Sequence, residues 1–274
     1  MGLSAARGFP EAVKEPWELA VMRDAGRRLA EVAVRVREAV RPGVTGLELD
    51  RIAESETRSR GASPCFKGYT LEPGYPFPAS ICLSPNNAVV HGIPDDRPLV
   101  EGDLVSIDLG LVYGGYHADM AFSVPIGVVS EAVTRLLDVT ERSLYEGVAR
   151  VLPGNRIGDI GHAIQQFITP HRFGIVRDYV GHGIGRRMHE SPSVPNVGVP
   201  GKGNLLKPGM CLAIEPMITM GGYATRVAKD RWTVLTADGS LAAHFEHTVA
   251  VTPRGPEILT VLEGENPLSR YGIS

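Results

Sequence analysis

The stretch from Gly102 to Val124 constrains the fold most, because it buries an acid in each of two apolar runs. Asp103-Leu104-Val105-Ser106-Ile107-Asp108-Leu109 has the β-branched and aliphatic content of a strand, and Tyr116-His117-Ala118-Asp119-Met120-Ala121-Phe122-Ser123-Val124 reads as a second. Gly114-Gly115 between them is a two-residue hairpin turn. With that turn Tyr113 faces Tyr116 and Asp108 stands opposite Ala121, so Asp108 and Asp119 share one sheet face as diagonal neighbours. Two carboxylates on apolar strands repel each other and lose hydration, which costs several kcal/mol per ion unless something positive lies between them. A hairpin with that face in water would relieve them equally well, and the two strands alone do not decide.

The chain has 274 residues, 43% of them hydrophobic, enough for one large core or two coupled half-cores. A net charge of −3 offers no basic surface to a polyanion, which argues against direct nucleic-acid binding or an anionic membrane as partner. Cys65, Cys82 and Cys211 are an odd number without metal-knuckle spacing and suit a reducing compartment. No apolar run has membrane-spanning length, Met1 to Lys14 lacks the apolar segment of a signal peptide, and Ala6 stands where a myristoylation motif needs Ser or Thr. The expectation is a cytoplasmic enzyme or binding protein.

Residues 1–14 read as a flexible arm, and 15–274 as a single domain. Helical spacing predicts a helix from Glu15 to about Val40, ended by Arg41-Pro42-Gly43. Thr45 then caps a second helix, Gly46 to Arg60. A short strand is expected at Ser80–Leu83, and Val89-Val90-His91-Gly92-Ile93-Pro94 precedes the aspartate hairpin. Beyond Gly127 the outline repeats, with helices from about Ser130 to Val151 and from Ile157 to Thr169. Pro153-Gly154 matches Pro42-Gly43, and Pro208-Gly209-Met210-Cys211-Leu212-Ala213-Ile214-Glu215 echoes Glu101-Gly102-Asp103-Leu104-Val105-Ser106-Ile107-Asp108. Each is a Gly-led turn into a strand that ends on a carboxylate. An internal duplication accounts for this order, giving an α+β domain with pseudo-twofold symmetry and a site at the join; independent similarity of two helix-helix-strand units is the competing explanation.

Gly181-His182-Gly183-Ile184-Gly185 sets a histidine among glycines, which permits close backbone approach. A buried, satisfied histidine would have the same signature. His189 follows seven residues on. Glu215 closes an apolar strand before Pro216. Alternation along Ala243-His244-Phe245-Glu246-His247-Thr248-Val249-Ala250-Val251 puts His244, Glu246 and Thr248 on one face. Solvated strand faces could explain one or two of the four acids. Four acids in apolar strands balance two divalent cations, and an oxygen-rich set with one imidazole suits manganese, iron, cobalt or zinc.

On these motifs the chain, from about Glu15 to Leu262, resembles the type I methionine aminopeptidases, whose fold is the symmetric pita-bread. The resemblance implies Asp108, Asp119, His182, Glu215 and Glu246 as ligands of a dinuclear centre, with Asp119 and Glu246 bridging both ions, Asp108 on one, and His182 with Glu215 on the other. It also implies that His91, of His-Gly-Ile-Pro, and His189 contact substrate, and that Cys65, Tyr69, Cys82 and Trp232 line the methionine pocket. The interval from His182 to Glu215 is too short for the insertion of type II enzymes, and the start at Glu15 fits the short bacterial form. The implied function is removal of the initiator methionine from nascent chains, at the ribosome or after release, when the second residue is small. Glu215 would shuttle the proton, His189 would donate to the oxyanion, and His91 would hold the leaving residue's nitrogen. The protein is expected to act as a monomer. An Xaa-Pro aminopeptidase or dipeptidase, and a non-catalytic binding protein on the same fold, are the rival readings.

Three departures from the family pattern are visible. The pocket run is stretched to Gly68-Tyr69-Thr70-Leu71-Glu72-Pro73-Gly74-Tyr75-Pro76-Phe77-Pro78, which puts the pocket rim in question. Met188 precedes His189 where an aromatic is usual, softening one wall. Met120 follows Asp119 where threonine is usual, which should remove a hydroxyl near the metals.

Overall fold

The computed structural model describes residues 13–70 and 73–272. Most of the arm expected over 1–14 therefore lies outside the described residues. Its last residue is not loose: Lys14 is buried, pairs with Glu190 at 2.8 Å and donates its amide to the Gly209 carbonyl.

The aspartate hairpin has the expected register. Leu104–Tyr113 pairs with Tyr116–Pro125, Tyr113 opposite Tyr116 and Asp108 opposite Ala121. Gly114 and Gly115 both have positive φ, which is what a turn matched to strand twist requires. Among the described residues nine antiparallel strands form the main sheet. Glu246–Thr252 joins the hairpin, followed outward by Cys211–Ile214, Gly181–Gly183 and Glu190–Val194. Ile81–Pro85 covers the hairpin's other edge.

Alternation gives this sheet two unlike faces. Ile107, Leu109, Leu111, Ala118, Met120 and Phe122 enter the core beneath the helices, whereas Asp108, Gly110, Asp119 and Ala121 point the other way. The helix layer is two helix pairs. Pro16–Ala39 and Gly46–Ser59 cover the hairpin half, and Glu131–Val148 and Ile157–Ile168 cover the other. From the first helix Leu29, Val32 and Val36 are fully buried, each worth roughly 1.5–3 kcal/mol of removed apolar surface. The predicted helices shorten by a turn or less: Ser130 becomes the N-cap of a helix that ends at Val148, and Thr169 opens a short 3-10 turn.

The duplication holds at the level of single bonds. Gly43 and Gly154 have φ of 88° and 90°, each three residues before its second helix, and accept the same role by donating to Leu99 and Leu206. Isolated bridges join Thr45 to Pro98 and Arg156 to Leu205. From those partners it is six residues to each following strand, 98 to 104 and 205 to 211. Gly102 and Gly209, with φ of 93° and 94°, each lie two residues before it. Asp108 and Glu215 then fall at the same distance along the two strands. This is the α+β pita-bread fold with internal pseudo-twofold symmetry.

The strand expected over Ala243–Val251 is two strands. Ala242–His244 pairs with Met217–Thr219 in a small separate sheet, and Glu246–Thr252 returns to the main one. The chain changes sheets at Phe245, whose amide reaches the Pro216 carbonyl.

Candidate metal centre

Strand register brings the acids together. Cys82, Asp108, Ala121 and Glu246 stand opposite one another across four strands. Two residues along, Gly110 opposes Asp119, and His182 and Thr248 each oppose Ala213. Residues two apart share a face, so both rows look away from the helices. The Thr248 hydroxyl fixes Asp119 by accepting from its amide at 3.0 Å and donating to its carbonyl at 2.8 Å. Ala121, Gly110 and Ala213 leave the floor between the rows nearly bare. Glu215 enters over that floor from beyond Cys211–Ile214, where Pro216 cannot continue the ladder.

His182 Nε2 lies 3.8 Å from Asp119 Oδ2 and 3.7 Å from Glu215 Oε1. Its Nδ1 is 2.9 Å from the Gly183 carbonyl oxygen, which places the proton on Nδ1 and turns the Nε2 lone pair toward the acids. His244 Nε2 is 3.8 Å from both Glu215 Oε2 and Glu246 Oε2. Donor atoms of Asp119, His182 and Glu246, and of Glu215, His244 and Glu246, lie within 4.8 Å of one another in each group.

The electrostatics favour neutralisation of the acids, by protons or by a cation. Burial, reinforced by the neighbouring acids, pushes the carboxyls of Asp108, Glu215 and Glu246 well above the usual range, and burial lifts Asp119 to about 7. The imidazoles move the other way, His182 to about 4 and His244 to about 3, again through burial. Asp108 Oδ1, Asp119 Oδ1, Glu246 Oε1 and both His244 nitrogens are buried without a hydrogen-bond partner. Buried polar atoms left unmatched cost about 1–3 kcal/mol each. Four acids facing imidazole nitrogens are the donor set of a divalent first-row metal, and the residues fit one.

A cavity opens above these groups. Phe66, Tyr69, Phe77, Cys82, Met188 and Trp232 form its apolar side, and His91 and His189 complete it. The Tyr69 hydroxyl lies 2.8 Å from His189 Nδ1, and the His189 ring is 4.3 Å from that of His182. Burial and His182 hold His189 neutral, at about 2. His91 has a φ of 58° and stands edge-on to Tyr179 and Trp232, at 5.8 and 6.4 Å between ring centres. Gly92 beside it is pressed on the neighbouring strand, where an added Cβ would meet the Leu83 carbonyl oxygen at 2.0 Å.

The five expected ligand positions, His91 and His189 therefore converge, and so do Tyr69, Cys82 and Trp232. Cys65 lies on the same face, beside Phe66, where a Cβ on Gly110 would meet its sulfur at 2.5 Å, but it does not line the cavity itself. Met120 corrects an expectation: its side chain packs in the helix-side core, so a threonine there would not face the acids. The stretched run also behaves otherwise than its length suggests. Gly68 donates to Phe77 at 2.8 Å and Phe77 to Tyr69 at 2.7 Å, pinching the run at its base and returning Phe77 to the wall, 5.2 Å from Trp232. Thr70 and Pro73–Pro76 are exposed, and Arg231 lies 4.1 Å over the Tyr75 ring. Sequence reasoning missed Phe66, Phe77 and His244. For His244 the signal was present, since it shares alternation with Glu246.

A model of metallopeptidase family M24 matches residues 20–253. The chain is 49% identical over 251 residues to a methionine aminopeptidase of Clostridium perfringens, covering 92% of this chain and 99% of that protein. It is 47% identical over 247 residues to methionine aminopeptidase 1 of Bacillus subtilis, covering 90% and 98%. The crystal structure of methionine aminopeptidase from Rickettsia prowazekii superposes with a TM-score of 0.89 at 41% identity, over 92% of this chain and 100% of that one. A prolidase from Pyrococcus furiosus shares the fold at a TM-score of 0.73 and 22% identity, and this chain covers 66% of it. The spacing of acids and imidazoles, the match over nearly the whole length of these relatives and the lower likeness to prolidase agree: the chain belongs to metallopeptidase family M24, among its methionine aminopeptidases.

Proposed function

We propose that this protein removes the N-terminal methionine from peptides and newly made chains whose second residue is small. The observation that carries the reading is the convergence of four acids, two buried and two half-buried, and His182 beneath an apolar cavity with two further histidines on its rim. Asp108, Asp119, His182, Glu215 and Glu246 would hold two divalent ions, for which cobalt, manganese, iron and zinc all match the donors. Bound metal would supply Lewis-acid polarisation of the scissile carbonyl and a water acidic enough to react at neutral pH.

The remaining chemistry belongs to the chain's own residues. Glu215 accepts a proton from the attacking water and returns it to the leaving nitrogen. With the Tyr69 hydroxyl 2.8 Å from His189 Nδ1, the tautomer in which that hydroxyl donates leaves the proton on Nε2, free to donate to the developing oxyanion. His91, held between Tyr179 and Trp232, faces the leaving residue's nitrogen and narrows that side of the site. Met188, Phe77 and Trp232 receive methionine's thioether through dispersion and sulfur–aromatic contact.

The reading extends to a monomer with one catalytic domain over 15–274, acting in the cytoplasm on chains at the ribosome; among the described residues no helix is long and apolar enough to cross a membrane. The test is hydrolysis of Met-Ala, Met-Leu and Ala-Pro peptides by cobalt- or manganese-loaded protein. Met-Ala should be cleaved and Met-Leu resisted. Preference for Ala-Pro, or comparable kcat/KM for both methionyl peptides, overturns it.

A further inference from the structure

His244 is not among the five residues assigned above, yet it is among the most deeply buried polar side chains in the molecule, with 2% side-chain exposure. Neither ring nitrogen has a hydrogen-bond partner. Its backbone is fixed independently of the ring. The amide donates to Ser123 Oγ at 2.9 Å, and the carbonyl accepts from the same hydroxyl at 2.8 Å. Ser123 thus clamps the residue where the chain changes sheets, and the ring is left to face Glu215 and Glu246.

The distances separate two explanations. A hydrogen bond from Nε2 to a carboxylate would bring the atoms to about 2.7–2.9 Å. Here both separations are 3.8 Å, too long for that bond, and the three donors stay within 4.8 Å of each other. Metal–nitrogen and metal–oxygen bonds near 2.0–2.2 Å place donors on a shared ion roughly 3–4 Å apart. Glu215 has one oxygen toward each imidazole, Oε1 toward His182 and Oε2 toward His244.

We propose that His244, with Glu215 and Glu246, forms a one-nitrogen, two-carboxylate site for a divalent cation, so that the centre carries two imidazoles, one on each side of Glu215. This rests on the metal reading of the same centre. A second nitrogen donor shifts the centre's preference toward cobalt, iron or zinc and away from manganese or magnesium, which favour oxygen.

The experiment is cobalt(II) titration of the chelator-stripped full-length protein, followed by calorimetry and by proton NMR of the paramagnetically shifted, solvent-exchangeable imidazole N–H signals. Wild type should show two such signals at saturation. His244→Phe, which keeps a ring but no nitrogen, and His244→Gln, which keeps a polar group, should each show one and bind cobalt at least about tenfold more weakly. Circular dichroism checks that each is folded, and either variant suffices if the other is not. One imidazole signal in wild type, or unchanged affinity and signals in a folded variant, overturns the proposal and leaves the five-ligand centre standing. Failure of wild type to bind cobalt at all overturns both.

Discussion

Asp108 and Glu215 occupy equivalent places in the two halves, yet the chain holds them differently. Asp108 lies inside a ten-residue strand with partners on both sides, Cys82 across one ladder and Ala121 across the other. Glu215 lies just past a four-residue strand and is followed by a proline. The first carboxylate is positioned by backbone pairing, with its side chain short and its freedom small. The second is positioned where pairing stops, on a longer side chain that reaches between His182 and His244. Three of the four imidazoles at the site also come from the second half, His182 and His244 on strands of three residues and His189 just before the strand Glu190–Val194. Duplication supplied two equal frames; one remained a sheet, and the other gave up ladder bonds to aim side chains.

The comparison can be broken most severely by removing the metal. Exhaustive chelation should abolish activity and lower the melting temperature, because a bound ion stabilises by about 2.7 kcal/mol at 100 times its Kd. Full activity after chelation would remove the reason for four acids gathered at one cavity. Next in size, Glu215→Gln should lower kcat by roughly 10²–10⁴-fold and resist rescue by added metal, since it loses proton transfer as well as a ligand. Asp108→Asn should recover substantially at high metal concentration. Equal recovery of the two would make the halves chemically alike. His189→Ala should cost roughly 10²–10³ in kcat with little change in KM and no loss of metal. Loss of an ion from that variant would make His189 a ligand. The smallest effect lies far from the site. Thr45 caps its helix by accepting from the Glu48 amide, while the equivalent Arg156 caps only through the return bond, its amide donating to Asp159, and its guanidinium makes one exposed bond to the Gly203 carbonyl. Thr45→Ala should therefore destabilise by about 1 kcal/mol, and Arg156→Ala by under about 0.5, in urea unfolding.

Features fixed by local chemistry were legible in the sequence. Gly114-Gly115 sets the turn, and a period of two then places Asp108 and Asp119 without further information. The start of the second helix followed from Thr45 in the same way. What the sequence did not disclose depends on where strands end. His244 and Glu246 share alternation, but the change of sheet at Phe245 gives His244 a different neighbour, Met217, and a different use. Met120 was misread because its neighbour in sequence is an acid, whereas the pleat sends adjacent residues to opposite faces. Phe66 and Phe77 reach the cavity through contacts closed between distant segments, which no local period reports.

The pinch between Gly68, Tyr69 and Phe77 has a consequence for how this surface can change. The wall of the cavity is complete at the base of the loop, so length added beyond the base does not propagate to the wall. Closing a loop of twice the length costs only about 0.6 kcal/mol. The segment is thus an acceptor for foreign sequence: a peptide epitope or affinity tag spliced between Pro73 and Pro76 should leave turnover of a methionyl peptide intact, giving a handle on the enzyme at the mouth of its own cavity.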